Sequence, residues 1–242
     1  MTSSPGWPEA VGLRHYEILD STNEEARRLA RAGEQGPLWI VAAQQSAGRG
    51  RHGRAWVSER GNLFATLLTE AAPSQSAQAG FVAGISVADV IAEYLPGKSV
   101  KLKWPNDALI SGRKAAGILV ERLSERLVGV GIGIDLAHCP GGVDAISIAE
   151  VTGSAPNPGE VLTALARHML AWMAVWRRDG FGPIRDAWIA RAGGVGDMIR
   201  AVTAQRPYEG IFEDLDPDGA LLLRDENGRT HRITAADVFY GC

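Results

Sequence analysis

Cysteine is nearly absent: Cys139 and Cys242 are the only two in 242 residues. They lie far apart, the second at the terminus, which excludes a disulfide framework. Export signals are missing too. Met1 to Gly12 reads MTSSPGWPEAVG, without the basic start and apolar run of a secretory leader. Long apolar runs are also lacking. The best stretch, Ala77 to Leu95, carries Gly80, Gly84, Asp89 and Glu93, whereas a membrane span wants about 20 mostly apolar residues. These absences predict a reducing, cytoplasmic setting with no membrane attachment. Charge of one sign is scarce as well. A formal net charge of −3 argues against a chain that holds nucleic acid by its overall field. The five histidines are scattered, and His138-Cys139 has no partner spacing. Metal-cluster chemistry is therefore not expected.

What is present is ordinary globular composition, 45% hydrophobic and 22% charged, which excludes collagen, coiled coil and wholesale disorder. The length fits a large domain with a small companion and is enough to bury a core without staples. Ser21-Thr22-Asn23-Glu24-Glu25 predicts a helix to about Ala32, stopped at Gly33. Ser21 with Glu24, or Thr22 with Glu25, has the spacing of a capping box. Strands are predicted at 38–43 and 62–69, and a core helix at 78–95 closed by Pro96-Gly97. Strands at 100–104, 107–111, 114–121 and 127–136 follow, the middle turn placed at Gly112-Arg113. Their short connections favour antiparallel pairing. Asn157-Pro158-Gly159-Glu160 is a helix start, and the helix through Trp176 is apolar all round. Gly193-Gly194 marks a boundary between a domain at 1–193 and one at 194–242. Beyond it, short segments at 198–203, 208–214, 220–224 and 230–233 read as a small barrel of about four or five strands. The class is α+β, with a mixed, largely antiparallel sheet.

The most informative segment is Gly48-Arg49-Gly50-Arg51-His52-Gly53-Arg54, between two apolar strands. Glycines let backbone amides approach a ligand, and guanidinium forks match phosphate or carboxylate oxygens in pairs. The segment also spells G-x-G-x-x-G, but the dinucleotide fingerprint must open a helix, and here a second strand follows too soon. A second cluster, Lys101-Leu102-Lys103-Trp104-Pro105-Asn106-Asp107, reads equally as a strand leaving its sheet at a Pro-Asn turn. Gly129, Gly131 and Gly133 alternate in a strand, which frees one face for a ligand or for another backbone.

Taken in order, these motifs resemble a known family. They are Asp20-Ser21-Thr22-Asn23, Gln45 with Ser46-Ala47 ahead of the loop and Trp56, Lys103 to Asp107, Lys114 to Glu121, and Gly131-Ile132-Gly133. The chain is similar to biotin protein ligases, which activate biotin with ATP and attach it to a carboxylase carrier. The resemblance implies a biotin/lipoate ligase-like domain followed by an SH3-like barrel. It implies that Ser21, Thr22, Asn23, Gln45, Gly48, Arg49, Gly50, Arg51, Lys114 and Gly117 hold biotin. Arg51, Arg54, Trp56, Asn106, Asp107, Lys114, Gly133 and Asp135 would meet ATP or the adenylate. Lys114 and Arg51 would be catalytic, and Asp107 and Asp135 would be ligands for Mg²⁺.

Biotin's carboxylate is already ionised, so adenylation needs charge neutralisation rather than a base. The partner implied is the biotin carboxyl carrier domain of a carboxylase. A homodimer is left open. Two departures from the family stand out: Asp135 where asparagine is usual, and His52 where a second arginine is common. Some members carry a DNA-binding winged helix of about 60 residues. Only 19 residues precede Asp20, so no DNA binding is expected. A lipoyl or octanoyl ligase or transferase remains an alternative. A non-catalytic nucleotide- or RNA-binding module is the reading from a different class.

Overall fold

A computed structural model describes residues 6–241. The readings of Met1 to Pro5 as part of the leaderless start, and of Cys242, lie outside them. Seven strands form the first sheet: β1 (Gly12–Leu19), β2 (Leu38–Gln45), β3 (Leu63–Glu70), β4 (Val100–Lys103), β5 (Asp107–Ile110), β6 (Arg113–Arg122) and β7 (Leu127–Ile134). Their order is β1-β2-β3-β7-β6-β5-β4. β1 and β2 run parallel and the remaining neighbours antiparallel, so the sheet is mixed and largely antiparallel, as predicted. The β5–β6 turn centres on Ser111 and Gly112, whose φ angles are 50° and 83°, one residue earlier than expected. Two positive φ values are what a two-residue type I′ hairpin needs.

β1 was not anticipated, for a physical reason. Its sequence, GLRHYEIL, leaves every residue at least partly exposed. An edge strand buried on neither face has no period-2 hydrophobic signal. It is joined to β2 by α1 (Thr22–Arg31), which makes the parallel pairing possible.

The expected capping box does not form. Ser21 occupies the N-cap position with extended backbone, but its side chain caps nothing. Thr22 instead donates through both its amide and its hydroxyl to Gln45 Oε1, at 2.8 and 3.2 Å. The end of α1 does follow prediction, with Gly33 at φ 96° beyond the C-cap.

One face of the sheet is covered by α2 (Ser76–Tyr94), with α4 (Pro158–Asp179) and α5 (Phe181–Arg191) packed on it. Ile85, Ile91, Leu165 and Trp188 are each at most 1% exposed in this layer. As predicted, α4 opens at Asn157, whose Oδ1 accepts from the Gly159 and Glu160 amides with Pro158 in the first turn. It is buried all round only from Val161 to Ala166, and its later turns keep one face in solvent. Sequence reading missed α5, because Gly182 and Pro183 suggest a break; both fall in its first turn, where proline is tolerated. The short α3 (Ile148–Thr152), capped by Ser147 Oγ, was also missed.

The second sheet holds β8 (Met198–Val202), β9 (Pro207–Leu215), β10 (Leu221–Arg224), β11 (Thr230–Ile233) and β12 (Asp237–Tyr240). It is a five-stranded antiparallel SH3-like unit of order β11-β10-β9-β8-β12. A hydrogen bond from Trp104 Nε1, just after β4, to Gly219 O at 3.1 Å and one from Tyr240 Oη to Gly193 O tie it to the segments around it. Among the described residues, no helix is long and apolar enough to cross a membrane.

Candidate active site

The segment 48–54 is a hairpin-like loop between β2 and β3, closed on itself. The Gly50 amide donates to Arg54 O and the Trp56 amide to Gly48 O. Its tip, Arg51–Gly53, is one short helical turn with His52 at φ 56°. No α-helix opens there, which removes the context the dinucleotide fingerprint requires.

The loop lies along one side of a cavity of about 410 Å³. Ser21, Thr22, Asn23 and Gln45 line it, and Arg49, Gly50, Arg51, Arg54 and Trp56 come from the loop. Asn106, Asp107, Lys114, Gly117, Gly133 and Asp135 complete the predicted set. The exception is Gly48, which does not border the cavity. A Cβ there would stand 2.5 Å from Ser58 Oγ and 2.6 Å from Trp56 O, so this glycine serves the packing of the loop base.

The alternating glycines of β7 bring two side chains onto the sheet. A Cβ on Gly131 would come within 2.3 Å of Asn23 Oδ1, and one on Gly133 within 2.7 Å of the Trp56 indole. Asn23 is held at both ends of its amide. Its Oδ1 accepts from Thr66 Oγ1 at 2.6 Å, and its Nδ2 donates to Glu121 Oε2 at 2.7 Å. Gly131→Ala should therefore expel Asn23 from this network and cost about 1–3 kcal/mol of stability. Urea midpoints of the two proteins will measure it, and equal midpoints would show that Asn23 yields freely.

Polar groups are fixed in direction as well as place. Gln45 Nε2 donates to Ser58 Oγ at 2.9 Å while its Oε1 serves Thr22, which settles the orientation of its amide. Arg51 donates to Asn106 Oδ1 at 3.1 Å, and Asn106 Nδ2 to Ile118 O at 3.0 Å. The Lys114 ammonium lies 2.7 Å from Asp107 Oδ1. That oxygen is buried and makes no hydrogen bond of good geometry, so the contact is mainly electrostatic. Lys114 Nζ also stands 5.1 Å from the centre of the Trp56 ring. Burial lowers the proton affinity of both Arg51 and Lys103, although nearby carboxylates oppose this. Arg49, by contrast, is paired with Glu24.

Asp135 is 2% exposed. Burial pushes its carboxyl up to about 7, against the pull of Lys114 and His138. Its companion is Asn62, which sequence reading missed. Asn62 Oδ1 accepts from the amides of Leu136, Ala137 and His138, and its Nδ2 donates to Asp135 Oδ1 at 3.3 Å. A single asparagine ahead of a strand carries no spacing that would reveal this. Also missed were Asp144 and Asp237, which border the cavity from segments with no motif.

Comparison with known proteins explains the convergence. The profile of the Biotin/lipoate A/B protein ligase family matches residues 16–136, and that of the Biotin protein ligase C terminal domain matches 195–241. A biotin--[acetyl-CoA-carboxylase] ligase of Paracoccus denitrificans is 42% identical over 236 residues, covering 92% of this chain and 98% of its own. The chain belongs to the biotin/lipoate protein ligase family.

Within the family, a biotin--[acetyl-CoA-carboxylase] ligase of Mycobacterium tuberculosis is 31% identical, with 95% of this chain and 90% of its own covered. A solved biotin protein ligase from Aquifex aeolicus, in complex with biotin and ATP, superposes with a TM-score of 0.84 at 25% identity. It covers 95% of this chain and 99% of that one. For a member of such a family the cavity's chemistry is coherent. Thr22 and Gln45 are fixed by hydrogen bonds, while Arg51, Arg54 and Lys114 offer positive charge on the same cavity as Asn106 and Asp107.

Proposed function

We propose that this chain is an ATP-dependent biotin ligase. It forms biotinyl-5′-AMP and then transfers the biotinyl group to a lysine of a biotin carboxyl carrier domain. The observation that carries this reading is the meeting of Arg51, Arg54 and Lys114 on one cavity that Thr22 and Gln45, held in fixed directions, also line. A carboxylate and a polyphosphate repel each other, and these cations are placed to neutralise both.

In the first step the biotin carboxylate oxygen bonds to the α-phosphorus and the bond to pyrophosphate breaks. The carboxylate is ionised at neutral pH, so no base is needed. Arg51 and Lys114 stabilise the charge that gathers on the phosphoryl oxygens. In the second step the carrier amine bonds to the acyl carbon, AMP leaves, and the amine gives up a proton. The Arg–Gly loop excludes water from the mixed anhydride meanwhile.

Magnesium fits this site only in company with phosphate. Among the described residues, no three histidine, cysteine or acidic groups converge to hold a metal alone. Mg²⁺ commonly takes one or two carboxylates together with substrate phosphates and water. Asp107, with its buried Oδ1 lacking a hydrogen bond, supplies one such carboxylate. Asp135, whose carboxyl burial raises to about 7, would be the second, giving up its proton as it meets the ion. When bound, the ion would neutralise charge on the β- and γ-phosphates. We place the enzyme in the cytoplasm, where separated cysteines stay as thiols.

The test is exchange of labelled pyrophosphate into ATP with biotin and Mg²⁺ present. Biotin-dependent exchange is expected. Exchange that responds to lipoate or octanoate alone would move the chain to the other branch of the family. No exchange with any acyl acid would leave a binding module.

A further inference from the structure

The two loop arginines nearest the phosphate-binding residues are held by the other sheet. Arg54 pairs with Asp237 Oδ2, at the start of β12, across 183 positions of sequence. Arg51 Nη1 lies 3.9 Å from Asp237 Oδ1, and the same guanidinium donates to Ala236 O at 3.3 Å. Asp237 is therefore an anion that both guanidinium groups face. It borders both the main cavity and an adjoining groove with Lys103 and Asn106 on its wall.

The two arginines differ in how firmly they are kept. Arg51 has Asn106 and the Ala236 carbonyl besides Asp237, and its side chain is 20% exposed. Arg54 is 61% exposed, and its side chain has Asp237 as its one hydrogen-bonded partner among the described residues. A guanidinium with one exposed partner exchanges it easily, since such ion pairs contribute little in water. A carboxylate at this place also repels any phosphate that approaches the same arginines.

Resting on the ligase reading, we propose that Asp237 is a positioning residue that competes with the triphosphate for Arg54 and Arg51. ATP binding transfers these arginines from the C-terminal sheet to the nucleotide, and the charge at position 237 sets how tightly ATP is held. The C-terminal unit thereby tunes the first half-reaction without touching biotin.

Calorimetric titration of the full chain with ATP, inorganic pyrophosphate and biotin tests this. Asp237→Asn should tighten ATP and pyrophosphate about three- to tenfold, the scale of one or two exposed ion pairs, and leave biotin unchanged. Asp237→Glu should bind ATP as the parent does. In an Arg54→Ala background the gain from Asp237→Asn should shrink. Unchanged or weaker ATP binding by Asp237→Asn, with an unaltered thermal midpoint, would overturn the proposal. So would a full gain in the Arg54→Ala background, which would mean simple repulsion. Should Asp237→Asn lower the midpoint, Asp237→Glu decides: ATP binding weaker than the parent's overturns the idea. A parent protein that binds no ATP and exchanges no pyrophosphate would instead sink the ligase reading itself.

Discussion

Lys114→Met is expected to slow biotinyl-adenylate formation by about 10²–10³-fold, the usual loss when one preorganised charge donor is removed from a shielded site. Lys114 is anchored on β6 with its amide bonded to Asp144 O. Its ammonium stands 2.7 Å from Asp107 Oδ1 and over the Trp56 ring. It is thus presented to the cavity by an electrostatic contact and a ring contact, with its N–H donors not committed to a hydrogen bond. Methionine keeps most of the apolar stem, so Trp56 retains its packing while the charge disappears. Biotin affinity should change far less than the rate, because the charge matters most where negative charge gathers during phosphoryl transfer. Single-turnover formation of the adenylate, with biotin binding measured in parallel, checks this. A rate within tenfold of the parent's would assign the neutralising role to Arg51 instead.

Much of this site was readable because its residues sit in contiguous motifs. The Arg–Gly loop has a composition that ordinary packing does not call for, whereas the Lys103 to Asp107 segment and the β7 glycines read equally as turn or packing residues and gained meaning only from their order along the chain. The structure brings Arg49, Gly50, Arg51, Arg54, Asn106, Asp107, Gly131 and Gly133 to one cavity, while Gly48 and Gly129 serve packing and Lys103 to Pro105 line the adjoining groove. Residues that act singly were not readable. Asn62 organises three backbone amides and Asp135, yet in sequence it is one polar residue before an apolar strand. Asp237 reaches the loop from 183 positions away, and only tertiary folding brings them together.

The fold divides the same way. Strands buried on one or both faces, such as β3 and β7, carry runs that announce them. β1 is an exposed edge and β12 is four residues long, so neither has enough buried positions to make a pattern. The missing cap on α1 has a different origin. Thr22 looks like a capping residue, but tertiary contact with Gln45 and Thr66 takes its hydroxyl away from the helix end. Local propensity yields there to the needs of the site.

Asp135→Asn should stabilise the free protein, and by an amount that grows with pH. The carboxyl is raised from an ordinary 3.8 to about 7, chiefly by burial, so the folded chain holds a proton that the unfolded chain has released. Between these values the native state binds more protons than the unfolded state, and stability falls as pH rises. The penalty is absent below about pH 4, grows through the interval, and is complete above about pH 7, where it amounts to roughly 2–4 kcal/mol. Asparagine has nearly the same shape and keeps an oxygen to accept from Asn62 Nδ2, but it has no charge to desolvate. Urea denaturation of both proteins at pH 5 and pH 8 should therefore show a small difference at the lower pH and a large one at the higher. A difference independent of pH would mean that Asp135 is ionised throughout and compensated by Lys114. Adenylation measured against Mg²⁺ at fixed ATP completes the test. A weaker metal dependence in Asp135→Asn is expected if Asp135 meets the ion beside Asp107, whereas superimposable curves would leave Asp107 alone in that role.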